Sequence, residues 1–104
     1  MLNQAVIVGR LIEDVKLDKD NICYLTIVTP RPYKNANGEY DNDIITAVLY
    51  NTIAQLTCEN CHKGDLVGIK GRLERKQRED NTYPAELTFV AEKVTFLSSK
   101  KDGE

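Results

Sequence analysis

The sequence predicts an all-β domain with a small helical content: five strands closed into a barrel, with one helix between the third and fourth. Three observations carry that expectation. Most of the 104 residues alternate apolar and polar side chains at period two, the spacing of half-buried strands. One internal stretch switches to helical spacing. At 11.8 kDa the chain has room for one core and no second.

The first strand is placed over 3–11, where Ala5, Val6, Ile7 and Val8 give strong strand content. The second and third are placed over 22–29 and 43–51, with Asn37-Gly38 as a hairpin-type connection between them. Over 52–61, Ile53, Leu56 and Asn60 follow helical spacing, with Ala54 and Cys58 flanking the apolar side. Gly64 is read as the helix stop, after His62 and Lys63, which suit the negative end of a helix dipole. The fourth strand puts Val67, Ile69, Gly71 and Leu73 on one face and Lys70, Arg72, Glu74 and Lys76 on the other. A second turn at Asp80-Asn81 leads to the fifth, where Ala85, Leu87, Phe89 and Ala91 alternate with Glu86, Thr88, Val90 and Glu92, continuing to Phe96. The order β-β-β-α-β-β in a chain of this length is that of an OB-fold barrel. Gly9, Gly68 and Gly71 then mark bulges or barrel bends rather than phosphate loops, because no helix start follows them. The domain is expected to span 1–98, with 99–104 a disordered end.

Composition narrows the function. Charged residues make up 29% and hydrophobic ones 41%, as in an ordinary globular chain. No apolar run is long enough for a membrane span or a signal-peptide core, so an intracellular, cytoplasmic protein with no membrane partner is expected. Three cysteines, an odd number, suit a reducing compartment. Cys58-Glu59-Asn60-Cys61-His62 matches the haem-attachment pattern C-x-x-C-H, and Cys23, Cys58, Cys61 and His62 are four potential zinc ligands. Haem attachment needs an oxidising compartment, and zinc binding usually shows a second paired spacing. The preferred reading has Cys58 packing on the core while Cys61 and His62 end the helix; a redox or haem protein is the rival. With one histidine, no G-x-S-x-G and no P-loop, the chain is read as no enzyme, needing no cofactor and no metal.

The remaining signal is electrostatic. The net charge of -2 conceals Lys70, Arg72, Arg75, Lys76 and Arg78 against Asp65 and Glu74, a local +3 over 65–78 that leaves -5 elsewhere. A second basic cluster, Arg31-Pro32-Tyr33-Lys34, surrounds a ring; Tyr40 lies in the loop after it and Tyr50 at the end of the third strand. Cations interleaved with flat rings on a β surface suit single-stranded nucleic acid, neutralising phosphates and stacking bases at ~1–3 kcal/mol per base.

Several runs carry a family resemblance. Met1-Leu2-Asn3-Gln4-Ala5-Val6-Ile7-Val8-Gly9-Arg10-Leu11 resembles the start of bacterial single-stranded DNA-binding proteins. Thr29-Pro30-Arg31-Pro32-Tyr33-Lys34 before Asn37-Gly38-Glu39, Lys63-Gly64-Asp65-Leu66-Val67 through Gly71-Arg72-Leu73, and Val90-Ala91-Glu92-Lys93-Val94-Thr95-Phe96-Leu97 are similar to later parts of the same family, in the same order. The resemblance implies an OB-fold that assembles as a homo-oligomer, usually a tetramer with a dimer as the alternative. It implies coating and protecting single-stranded DNA in replication, recombination or repair, nucleoid association, and replication or repair proteins as partners. With the basic clusters, the candidate nucleic-acid contacts are Arg31, Tyr33, Lys34, Tyr50, Lys70, Arg72, Arg75, Lys76 and Arg78, and the resemblance puts Tyr33 and Tyr50 on stacking positions. Arg10 and the first strand are assigned to a subunit contact.

Two departures shape the expectation. Ile44 and Arg78 stand where the family commonly has rings, which implies weaker binding, greater reliance on charge and a steeper proportional loss with salt. It also keeps open an OB-fold adaptor of the primosomal type, acting mainly through protein contacts. Family members usually continue into a Gly-, Pro- and Gln-rich linker and an acidic tip. This sequence stops at Glu104, so recruitment through such a tip is not expected.

Overall fold

Leu25, Ile27, Leu49, Val67 and Ile69 are fully buried, each with a more exposed or outward neighbour beside it in its strand. That alternation builds the barrel. The structure, a computed structural model, describes residues 1–75 and 87–99. Its elements are β1 (Ala5–Leu11), β2 (Ile22–Lys34), β3 (Tyr40–Tyr50), α1 (Asn51–Asn60), β4 (Leu66–Arg75) and β5 (Leu87–Ser98). The strands close in the order β1-β2-β3-β5-β4. Neighbours are antiparallel except at the seam, where β3 meets β5 in parallel at Ala47↔Phe89 and Val48↔Val90. The five-stranded OB-fold barrel with a helix between the third and fourth strands is therefore the observed architecture.

The strand boundaries refine the expectation. β2 and β3 run past Thr29 and start before Asp43, forming a long two-stranded arm. Pro30 and Pro32 lack an N–H, and the β2–β3 register shifts between Pro30 and Lys34 without ending the strand. The Asn35 side chain shapes the hairpin tip: its Oδ1 accepts the Asn37 and Glu39 N–H groups, and Gly38 takes the left-handed conformation at φ 77. At the other end of the chain order, β1 begins at Ala5, yet Asn3 extends its pairing by side chain. Its Nδ2 donates to Leu73 O at 2.7 Å and its Oδ1 accepts the Leu73 N–H at 2.9 Å. The Asp80-Asn81 turn and the expected start of the fifth strand at Ala85 lie outside the described residues.

The helix differs from its expected face. Ala54 and Thr57 are buried and Cys61 follows them into the core, while Leu56 is 54% exposed. A helix resting across the barrel end needs a narrow stripe of small residues, and the spacing 53–56–60 picks a stripe rotated away from it. The helix also ends earlier than Gly64. Cys61 is already extended at φ -119, and the next two N–H groups are held by carboxylates, His62 by Asp65 at 2.8 Å and Lys63 by Asp14 at 2.9 Å. His62 and Lys63 therefore belong to the loop beyond the last turn.

Candidate nucleic-acid interface

The outer face of the β2–β3 arm is read directly from its register. From the barrel end to the tip the outward cross-strand pairs are Ile22↔Tyr50, Tyr24↔Val48, Thr26↔Thr46, Val28↔Ile44 and Pro30↔Asn42, with Lys34↔Tyr40 beyond the shift. Rings collect at both ends. Tyr24 is 59% exposed and Tyr50 45% at one end, Tyr33 60% and Tyr40 56% at the other. Between them Ile44 stands exposed and Thr26 and Thr46 join hydroxyls at 3.0 Å. The Lys34 ammonium sits 5.8 Å from the Tyr40 ring centroid, a cation–π arrangement that places charge and ring side by side.

Arg31 is placed differently from what its sequence neighbours suggest. Its Nη2 and Nε donate to the Asp43 carboxylate at 2.9 and 3.2 Å, and Asp41 lies 4.0 Å from Nη1. The fork-on-carboxylate geometry raises the Arg31 pKa and lowers that of Asp43, each chiefly through their shared hydrogen bonds. The linear basic cluster is thus faced by two carboxylates from the neighbouring strand. Arg72 is similarly engaged, by Glu74 at 2.6 Å and Glu92 at 3.3 Å, which raises its pKa through the Glu74 hydrogen bond first.

For either arginine to hold a phosphate, it would have to give up a carboxylate in exchange. Asp43→Asn is therefore expected to tighten single-strand binding and to steepen the log–log salt dependence by about 0.7, the increment for one added phosphate contact. A salt titration of the variant against the parent checks this. Weaker binding would mean that Asp43 positions Arg31 instead of screening it.

The β4 cations join this face through one continuous rung. Arg72 pairs with Val90, Val90 with Val48, and Val48 with Tyr24, so Arg72 and Tyr24 point outward on the same row across four strands. Lys70 is exposed, with Val6 of β1 and Lys93 of β5 as its cross-strand partners. Two ammonium groups directly opposite repel, and a phosphate between them relieves that. Arg75 is exposed at the end of β4, opposite Leu87. Lys76 and Arg78 lie outside the described residues. Sequence reasoning missed Tyr24 and Lys93: the period-two pattern of β2 already put Tyr24 outward, whereas Lys93 shares the parity of the buried Phe89 and Ala91 and comes opposite Lys70 only through the register shift in the β4–β5 ladder. Arg10, by contrast, donates from Nη1 to Gly64 O at 3.1 Å.

The cysteines sit in packing roles. Cys23 and Cys61 are buried, Cys23 Sγ lies 3.9 Å from Ala54 O, and Cys58 Sγ donates to Val15 O at 3.3 Å. Burial pushes the Cys23 thiol up to about 11 and raises that of Cys61, so both stay protonated and poorly nucleophilic near neutral pH.

Comparison with known proteins agrees with this geometry. The model of the single-strand binding protein family matches residues 2–97. The chain belongs to that family. Among its relatives, single-stranded DNA-binding protein B of Bacillus subtilis is 33% identical, with 96% of this chain aligned to 94% of that protein. Single-stranded DNA-binding protein 3 of Listeria innocua is 35% identical over 99% of this chain and 68% of that one. The solved structure of wild-type single-stranded DNA binding protein from Thermus aquaticus superposes with a TM-score of 0.74 at 23% identity, covering 95% of this chain and 52% of that one. The chain thus spans about half the length of that family structure. No helix among the described residues is long and apolar enough to cross a membrane.

Proposed function

We propose that this single-strand binding family member coats and protects single-stranded DNA, largely without regard to sequence, and that it does so without catalysing a reaction. The observation that carries this reading is the set of exposed tyrosines on the β2–β3 arm, with Tyr24, Tyr40 and Tyr50 on its outer face and Tyr33 within the register shift near the tip. Strands 2 and 3 are the ligand face of OB-folds, and rings stack on unpaired bases of any identity. Tyr33 and Tyr50 stack bases. Arg31, Lys34, Lys70, Arg72, Arg75, Lys76 and Arg78 hold phosphates, Arg31 and Arg72 by exchange from their carboxylates. The names of the relatives favour DNA binding over an adaptor role.

The assembled form is a homo-oligomer, a tetramer or a dimer. β1 supports this: it meets β2 only through Arg10↔Val28 and Leu11↔Ile27, and it presents Val6 at 64% and Val8 at 47% exposure. The site of action is the cytoplasmic nucleoid, with replication and repair proteins as partners.

Nuclease protection tests the reading. A single-stranded circle saturated with the protein is expected to resist a single-strand-specific nuclease in proportion to the protein bound. Digestion at the rate of naked DNA would overturn it.

A further inference from the structure

We infer that Tyr24 is a nucleobase-stacking residue at the junction of the ring-bearing arm and the cationic strand β4, a position that deepens the single-stranded DNA reading and rests on it. Four observations place it there. Tyr24 points outward from β2 and is 59% exposed, while its chain neighbours Cys23 and Leu25 are fully buried, so the ring contributes little to the core. It is the diagonal neighbour of Tyr50, because Tyr24 faces Val48 and Tyr50 follows two residues on; such diagonal positions are ~7–8 Å apart, within reach for aromatic side chains. It shares a rung with Arg72, the two being separated by Val48 and Val90, which are 9% and 4% exposed. Its side chain also lines a cavity of about 400 Å³ with Glu13, Asp14, Lys16 and Lys63.

That cavity decides how the residue acts. Lys16 and Lys63 form no ion pair among the described residues. Glu13 and Asp14 balance them, and Asp14 is tied to the Lys63 N–H. A space with equal charges of both signs does not concentrate phosphate. It does admit a flat, polar-edged base against the Tyr24 ring, and a strand seated there continues from Tyr50 along the rung toward Arg72. The contribution of Tyr24 is therefore stacking, largely independent of salt.

The test is photo-crosslinking of the unaltered full chain to oligo-dT carrying 5-iodouracil, with peptide mapping, alongside salt titrations of Tyr24→Ala and Tyr24→Phe. Crosslinks at Tyr24 are expected. Tyr24→Ala is expected to bind about tenfold more weakly with an unchanged salt slope, and Tyr24→Phe to bind like the parent. Parent binding with crosslinks at other tyrosines only, or a Tyr24→Ala variant that binds like the parent, would overturn the assignment while leaving the functional reading standing. A parent chain that does not bind oligo-dT would overturn both.

Discussion

Tyr33→Ala combined with Tyr50→Ala is expected to weaken oligo-dT binding by roughly a hundredfold at every salt concentration. Each ring contributes ~1–3 kcal/mol by stacking, and 1.4 kcal/mol is a factor of ten. The two sit at opposite ends of the β2–β3 arm, Tyr50 against Ile22 and Tyr33 within the register shift near the tip. At that separation their losses should add. Both are well exposed, so the melting temperature should move little. Titrations of the two single variants and the double variant, at low and moderate salt, check the magnitude and the additivity. A loss confined to low salt would mean that the rings act by holding cations in place instead of stacking bases.

Gly71→Ala is expected to be more damaging to stability than alanine at the barrel glycines Gly9 and Gly68. A Cβ at that position would lie 2.0 Å from the Val90 carbonyl oxygen and 2.9 Å from a Phe89 ring carbon. The obstacle is backbone, and the β4–β5 ladder already shifts register between Lys70 and Gly71. Relief therefore requires β4 and β5 to part at this point of their ladder. Overpacking of this kind costs ~1–3 kcal/mol or more, which lowers the melting temperature of a domain this size by roughly 4–8 °C per kcal/mol. Gly68→Ala is the control, since its nearest neighbours would be 3.8 Å away, ordinary contact distance. Thermal unfolding of the pair settles the matter, and equal melting temperatures would contradict the account of how the barrel closes.

Much of the fold was legible because its cause is local. Period-two alternation in Leu25-Ile27 and Val67-Ile69, and the Asn37-Gly38 turn, are properties of neighbouring residues. The helix was legible in place but not in face. Which of Leu56 or Thr57 is buried depends on the barrel end beneath it, which no helix-local pattern records. The site was legible in its rings, since an outward tyrosine on a strand is a matter of parity. Its charges were harder to read. Arg31 looked free in Arg31-Pro32-Tyr33-Lys34, and only the β2–β3 register brings Asp43 to it. Glu74 is two residues from Arg72 in sequence, but Glu92 arrives from β5. Counting cations along the chain thus overstates the charge offered to phosphates, and the salt dependence is expected to be shallower than that count implies.

The central claim, preference for a single strand, is tested most directly by titrating the protein with oligo-dT and with a length-matched duplex at low and moderate salt. Saturable binding to oligo-dT that persists at moderate salt through stacking is expected, with much weaker duplex binding that salt abolishes. Equal affinity for the two DNAs, falling together as salt rises, would contradict it.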